Sequence, residues 1–326
     1  MEWLALGLGD WSFNTLLMCF AGGILGAALG GLYAFVICGL TVLLGCMSVL
    51  GGGSEFFLLN VGLGPIFGPH VGGFASGVAA VSYAVGVKKN LESASGKDIL
   101  SPLMDTSWDV LLVGAVFAVF GHAVLNLLVL IPLVSDFDCI ALTVVISAIV
   151  ARLLFHQGEM PWGTKESIEE HGYLKWPCQW LPWMNSTPAR QVVFGFGVGV
   201  FAGTLAMWAK GVTDPLIAAK TISGLAGFLT CIILPWSIAA FSLIALQLGT
   251  GEIQKVPAWH CMAVLAALSY MHFGSIVIAG IVGIGAIFLQ DIMARMFWNH
   301  GSNHIDPPGC AIATGTFILN NINKLT

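Results

Sequence analysis

The stretch from Trp11 to Ser54 contains no charged side chain. A helix crosses the hydrocarbon core of a bilayer in about 20 residues, so this stretch predicts two crossings joined near residues 30 and 31. The whole chain is 57% hydrophobic and only 9% charged, whereas soluble domains carry about 25% charged residues. A chain of this composition cannot cover a water-facing surface, and it is therefore predicted to be an integral membrane protein.

Hydrophobic patterning predicts an all-α, polytopic bundle of about nine or ten spans in one membrane domain covering residues 1–326. The predicted spans are 13–30, 32–50, 70–87, 108–134, 138–156, 191–209, 221–248, 257–274, 275–298 and 306–323. Lysine and arginine concentrate in the connections 88–109 and 152–190, which the positive-inside rule places together on the cytoplasmic side of the cell membrane.

Two polar turns interrupt the apolar pattern. The first, 64–70, reads Gly-Pro-Ile-Phe-Gly-Pro-His, and its prolines predict a break within a membrane segment. The second, 303–309, reads Asn-His-Ile-Asp-Pro-Pro-Gly and predicts the N-terminus of a helix, with Asp306 as its cap. Non-helical backbone at membrane depth needs a cavity or a protein partner, so both turns are predicted to be broken or re-entrant segments.

Residues 157–190 form the one long polar insertion. Its four tryptophans, at 162, 176, 180 and 183, favour the headgroup layer, so we interpret it as an interfacial loop. A lid over a substrate site is the alternative. The tripeptide 185–187 also matches a glycosylation acceptor.

An internal repeat is a further hypothesis. Aligning His70 with His304 also pairs Ala79 with Ala313, and both segments follow apolar spans rich in glycine and alanine. Transporters are often built from such repeats, with broken helices meeting near the middle of the membrane.

The candidate substrate-binding residues come from the turns and from polar positions inside the spans. They are His70, Asn303, His304 and Asp306, with His122 and Asn126 as second candidates. Histidine changes charge near neutral pH, and a helix N-terminus attracts polar groups. The spacing of Asp291 and Arg295 allows an ion pair or a gate. Helix capping alone can explain the position of Asp306. Hydrogen bonding between helices can explain His122 and Asn126 inside the 108–134 span.

A metal site remains undetermined from the sequence. Met293, Met296, His300 and His304 follow helical spacing and, with Cys310, have the ligand types that suit Cu(I). Ordinary packing is the alternative. The eight cysteines show no Cys-x-x-Cys spacing, and they are interpreted as small buried hydrophobes. Whether the chain binds a cofactor is likewise undetermined from the sequence.

Gly-Pro-His-Val-Gly-Gly-Phe-Ala at 68–75 and His-Ile-Asp-Pro-Pro at 304–308 resemble motifs of an uncharacterised family of polytopic membrane proteins from archaea and bacteria. That resemblance implies a membrane fold and no particular activity. Residues 307–309 and the small-residue helix after them also resemble the HPP membrane family, in which a histidine stands at the position of Asp306.

These observations favour a membrane transporter or channel for a small polar or ionic solute, with its site at the two broken turns. A structural subunit of a membrane complex is the alternative, and an intramembrane enzyme comes third. An enzyme is not expected, because the chain lacks the common hydrolase, zinc-protease and P-loop motifs. The expected partners are the lipid bilayer, a small solute or ion, and either further copies of the chain or the other subunits of a membrane complex. No basic run suggests nucleic acid.

Overall fold

The computed structural model describes residues 10–176, 181–184 and 187–325. Over these ranges the chain is helical and forms no strand. In chain order the helices are α1 (Phe13–Leu29), α2 (Gly31–Leu50), α3 (Ala75–Tyr83), α4 (Trp108–Leu128), α5 (Cys139–Phe155), α6 (Lys165–His171), α7 (Pro188–Ala218), α8 (Gly224–Ser242), α9 (Ile244–Leu248), α10 (His260–Phe273), α11 (Ile276–Met293) and α12 (Pro307–Leu325).

Five helical segments in the described ranges are long and apolar enough to cross a membrane. They are Gly31–Leu50, Trp108–Leu128, Pro188–Ala218, Gly224–Leu248 and Ile276–Trp298. Helices α1 and α5 are apolar but shorter. The all-helical class and the membrane-type composition of the helices are thus confirmed, whereas a bundle of nine or ten crossings remains a prediction.

The predicted break near residue 64 is present and is longer than expected. A π-helical turn, Phe57–Gly62, leads into irregular backbone, and helix α3 begins only at residue 75 instead of 70. This irregular backbone packs against the middle of α1. A Cβ atom on Gly22 would lie 2.2 Å from the carbonyl oxygen of Ile66, and one on Gly26 would lie 2.0 Å from that of Gly72. Glycines in α1 therefore make room for the non-helical chain.

Small residues also set two further helix pairs. Helix α1 packs on α4 where a Cβ on Gly23 would lie 2.5 Å from the carbonyl oxygen of Gly114. Helix α7 packs on α11 where a Cβ on Gly199 would lie 2.3 Å from the carbonyl oxygen of Ala279. Such positions let two backbones approach closely.

Two helix pairs at the centre run antiparallel. Glu55, just after α2, accepts hydrogen bonds from the backbone and hydroxyl of Ser223, the cap of α8. Gly39, in the first half of α2, packs on Ala240 near the end of α8. Helices α5 and α12 likewise run in opposite directions.

The direction of α5 and α12 is fixed by bonds at both ends. Before α12, the Asn303 amide donates to the carbonyl of Ala148 in the second half of α5, at 2.9 Å. At the other end, Asn320 and Lys324 of α12 both reach Asp136, which precedes α5.

The two basic connections lie at the same end of the bundle. Gly96 pairs with Asn303 through an isolated backbone bridge, and Thr164 donates its backbone N–H to the carbonyl of His300. The described part of the 157–190 insertion contains α6 and covers the turn between α11 and α12. Trp180 and the first two residues of the glycosylation tripeptide lie outside the described residues.

Candidate functional site

A cavity of about 60 Å³ lies at the centre of the molecule, between the antiparallel pairs and the broken segment. Its walls are mostly apolar and aromatic, and they include Phe35 of α2, Phe74 at the end of the break and Trp236 of α8. The polar groups in its lining are Asp138, Asp306 and His260. Several elements thus bring a few polar groups together in an apolar enclosure, which is the usual character of a small-ligand site.

Asp306 caps helix α12 and is held on two sides. One carboxylate oxygen, Oδ2, accepts the backbone N–H of Gly309 at 2.7 Å, and the other, Oδ1, lies 3.2 Å from Nε2 of His304. The indole of Trp298, which can only donate, lies 3.1 Å from Nδ1 of His304. Nδ1 must therefore accept, so neutral His304 carries its proton on Nε2 and donates it to Asp306. Each carboxylate oxygen keeps a lone pair for a ligand.

Asp138 occupies the corresponding position on α5. It is the N-cap of that helix and accepts the backbone N–H of Ala141 at 2.9 Å. Because α5 and α12 are antiparallel and both line the cavity, the two capping carboxylates lie toward opposite ends of it.

His260, the first residue of α10, is the third polar group. It is 5% exposed, and its Nδ1 has no hydrogen-bond partner in the described chain. A second cavity of about 30 Å³ is also lined by His260, Asp306, Phe35 and Phe74, so the two spaces adjoin at these residues. A buried ring nitrogen without a partner is unfavourable unless a ligand or water completes it.

Arg152 holds the turn beside Asp306 in place through hydrogen bonds. Its side chain is fully buried and donates to the side chain and the carbonyl of Asn303, at 2.7 and 2.9 Å. It also donates to the carbonyls of Pro161 and Phe297. Asn303, predicted to bind substrate, is thereby engaged with Arg152 and with α5, and it does not line the cavity.

Glu159 and Lys97 also bond to the residues around this turn. Glu159 accepts hydrogen bonds from the backbone and hydroxyl of Ser302. Lys97 donates to the carbonyl of Asn299 at 3.2 Å and lies over the ring of Trp298. Burial, together with the nearby charge of Arg152, lowers the pKa of Lys97 to about 8. Both loops of the basic end therefore hold the turn that carries Asp306.

His70 is buried but does not line the cavity, although Pro69 beside it does. Its carbonyl packs on Gly121 of α4, and its Nδ1 lacks a partner among the described groups. The two predicted turns line the same cavity through Pro69 and Asp306. Phe74, four residues after the first turn, contacts the ring of His304 with centroids 5.8 Å apart.

The remaining predicted residues lie away from the cavity. Nε2 of His122 is 3.2 Å from the carbonyl oxygen of Asp10 at the end of the bundle, and Asn126 donates to the carbonyl of His122. Asp291 and Arg295 form the expected ion pair, at 2.9 Å. Arg295 also holds the described part of the insertion through the carbonyls of residues 174 and 176.

Of the residues whose types suit Cu(I), His300 is engaged on both ring nitrogens. His300 is bound on Nδ1 by Ser167 and on Nε2 by the carbonyl of Tyr173. Within the described ranges, no group of three or more histidine, cysteine or acidic side chains could hold a metal ion.

Sequence reasoning missed Asp138, His260 and Arg152 as site residues. Asp138 is the first residue of the predicted span 138–156, and His260 lies near the start of the predicted span 257–274. The capping position that Asp138 shares with Asp306 could have identified it. Arg152 lies at the end of a span and gives no local indication that its side chain turns inward.

A family of unknown function, DUF7973, matches the chain twice, over residues 5–160 and again over residues 163–325. The chain belongs to this family. Neither the curated proteins nor the solved structures yield a match. The double match confirms an uncharacterised family and an internal repeat. The similarity to the HPP family remains a sequence resemblance.

The alignment proposed for the repeat was wrong, because His70 lies in the middle of the first match and His304 near the end of the second. Helices α1 to α5 correspond instead to α7, α8, α10, α11 and α12. Gly-Leu-x-x-Phe-x-x-Cys begins both α2 and α8, at 31–38 and 224–231, and Ala-Ala-x-Ser-Tyr recurs at 79–83 and 266–270. Asp138 and Asp306 each cap the last helix of their half. The turn at 303–309 therefore matches the one before α5.

The corresponding helices α2 and α8 are antiparallel, and so are α5 and α12. The two halves are thus related by inversion of their helix directions, and the cavity lies where they meet.

Proposed function

We propose that this protein is a membrane carrier for a small solute, with the central cavity as its substrate site. The observation that carries the proposal is the pairing of Asp138 with Asp306, equivalent carboxylates from two inverted halves that line one cavity. Inverted repeats with a broken segment beside a central site are the architecture of many secondary transporters, which open alternately to the two sides of the membrane.

The contacts that hold the turn before α12 favour a carrier over an open channel. At the basic end, Arg152, Glu159 and Lys97 hold the turn before α12. The second half has only a short connection between α10 and α11 where the first has the long loop 89–107. The closing contacts therefore differ between the ends, and the two ends would open by different movements.

A structural subunit of a membrane complex is the alternative. Its main support is the set of exposed apolar side chains on the outer helices, which a lipid bilayer would cover equally well. We propose no catalysis.

Uptake into reconstituted vesicles tests the proposal. Radiolabelled methylammonium, urea and formate are offered at pH 6, with protein-free liposomes as the background and valinomycin with potassium to clamp the membrane potential. We expect at least one solute to enter faster with the protein than without it. Asp138→Asn and Asp306→Asn should each slow that entry about tenfold or more, because each removes a charge from the site.

Asp214→Asn is the matched control, since Asp214 is exposed and pairs with Lys210 on the outer face of α7. It should leave uptake unchanged. Entry of all three solutes at the protein-free rate, or full uptake in both cavity variants, would contradict the proposed function.

A further inference from the structure

We infer that the cavity binds a small cation carrying N–H donors, of the alkylammonium class, and not an anion. This inference rests on the proposed function, because it concerns the ligand of the same cavity. Three features support it: the charge of the lining, the partnerless nitrogen of His260, and the aromatic walls.

The charge of the lining favours a cation. Two carboxylates, Asp138 and Asp306, line the larger cavity, and within the described residues no lysine or arginine lines either space. Helix N-termini often bind anions, but here each carboxylate already takes up backbone N–H groups of its own helix. The buried Arg152 beside the turn donates to Asn303 and to the carbonyls of Pro161 and Phe297. An anion would therefore find negative charge and few donors.

The partnerless nitrogen of His260 indicates that the cation carries protons. Nδ1 of His260 has no hydrogen-bond partner in the described chain, and the His260 ring lines the same two cavities as Asp306. In the neutral ring, the nitrogen that carries no proton is an acceptor. An ammonium group placed between them could donate to the carboxylate and to the ring nitrogen at once. A metal cation would instead seek several oxygen ligands, and the protein offers few here.

The aromatic walls of the cavity suit both the alkyl part and the positive charge of an alkylammonium ligand. Phe35 packs against Phe74, Trp236 and His260, with ring centroids 5.5, 5.4 and 5.1 Å apart. Aromatic rings attract cations through their quadrupoles and accept methyl groups without loss of hydrogen bonds. At about 60 Å³ the cavity has room for about four water-sized groups, which limits the ligand to a few heavy atoms.

Solid-supported membrane electrophysiology on proteoliposomes tests this inference, because it records the charge displaced when a cation enters the protein, even without complete transport. Methylammonium should give a saturable positive displacement. Tetramethylammonium has the same charge but no N–H donor. It should reach half-maximal displacement only at about tenfold higher concentration, or it should give no displacement. Sodium formate should give no saturable displacement of opposite sign.

Two variants assign the signal to the cavity. Asp306→Asn should abolish the methylammonium displacement while keeping the fold, because the asparagine oxygen can still accept the N–H of Gly309. His260→Phe should weaken the apparent affinity for methylammonium about tenfold, because it removes the ring acceptor. His272→Phe is the control, since His272 lies at the far end of α10 and bonds to Asn320. The methylammonium displacement of the His272→Phe variant should equal that of the wild type.

The outcomes separate this inference from the proposed function. No saturable displacement by methylammonium, or an unchanged displacement in both cavity variants, would overturn the cation assignment. Uptake of formate or urea without methylammonium displacement would support a carrier and overturn the cation. Saturable methylammonium displacement without uptake of any solute would support the cation site and overturn the carrier.

Discussion

At the residue scale, burial decides which polar side chains matter. The sequence places Asp306 and His304 correctly in a polar turn before the last helix, and the structure shows them hydrogen-bonded there. Sequence reasoning could not anticipate Arg152, because its partners are carbonyls and an amide far away in the chain. Such contacts depend on tertiary packing and leave no local pattern.

Arg152 should therefore be worth more to stability than an ordinary membrane-protein arginine. Arg152→Lys keeps the charge but loses the planar fork that reaches several acceptors. We expect it to lower the free energy of unfolding by about 2–3 kcal/mol, because buried acceptors lose their donors. Unfolding in mixed detergent micelles, followed by circular dichroism, measures the change.

Arg190→Lys is the matched control for that measurement, since Arg190 is exposed near the start of α7. Its effect should stay within about 0.5 kcal/mol. Equal stability of the two variants would show that the network around Arg152 contributes little.

At the element scale, the positions of the helices along the chain were largely predictable, whereas the packing of one element on another was not. The predicted spans 13–30, 32–50 and 138–156 agree with α1, α2 and α5 to within a residue or two. Uncharged length and turn residues fix such boundaries locally. The break before α3 was predicted too short, because its later part is held by packing on α1 and α4 and not by proline alone.

Gly121 tests that packing. In α4 a Cβ atom on Gly121 would lie 1.9 Å from the carbonyl oxygen of His70, and backbone cannot rotate away. Gly121→Ala should therefore destabilise the protein by about 1–3 kcal/mol in the same unfolding assay. Gly197→Ala in α7 is the control, because nothing lies within 4 Å of its Cβ position.

The control should be neutral or stabilising by up to about 1 kcal/mol, since alanine favours helix more than glycine does. If Gly121→Ala is as stable as the control, the break does not depend on close contact with α4.

At the scale of the whole molecule, the repeat is the property that organises the rest. The sequence suggested a repeat but paired the wrong turns, because apolar segments align easily in many registers. The family match over both halves establishes the repeat, and the motifs shared by α2 and α8 and by α3 and α10 align the halves so that Asp138 and Asp306 each precede the last helix of its half. From that correspondence follow the inverted orientation of the halves, the central position of the cavity and its two carboxylates.

The inversion has a direct test in sided labelling. Ser54 follows α2 and Thr250 follows α9 in the second half, and both are exposed. Ser54→Cys and Thr250→Cys are made separately with Cys178→Ser, because the other seven of the eight cysteines are buried. A membrane-impermeant maleimide is then applied to intact cells and to inverted vesicles. Our account predicts that one position reacts only in intact cells and the other only in inverted vesicles. Labelling of both positions from the same side of the membrane would contradict it.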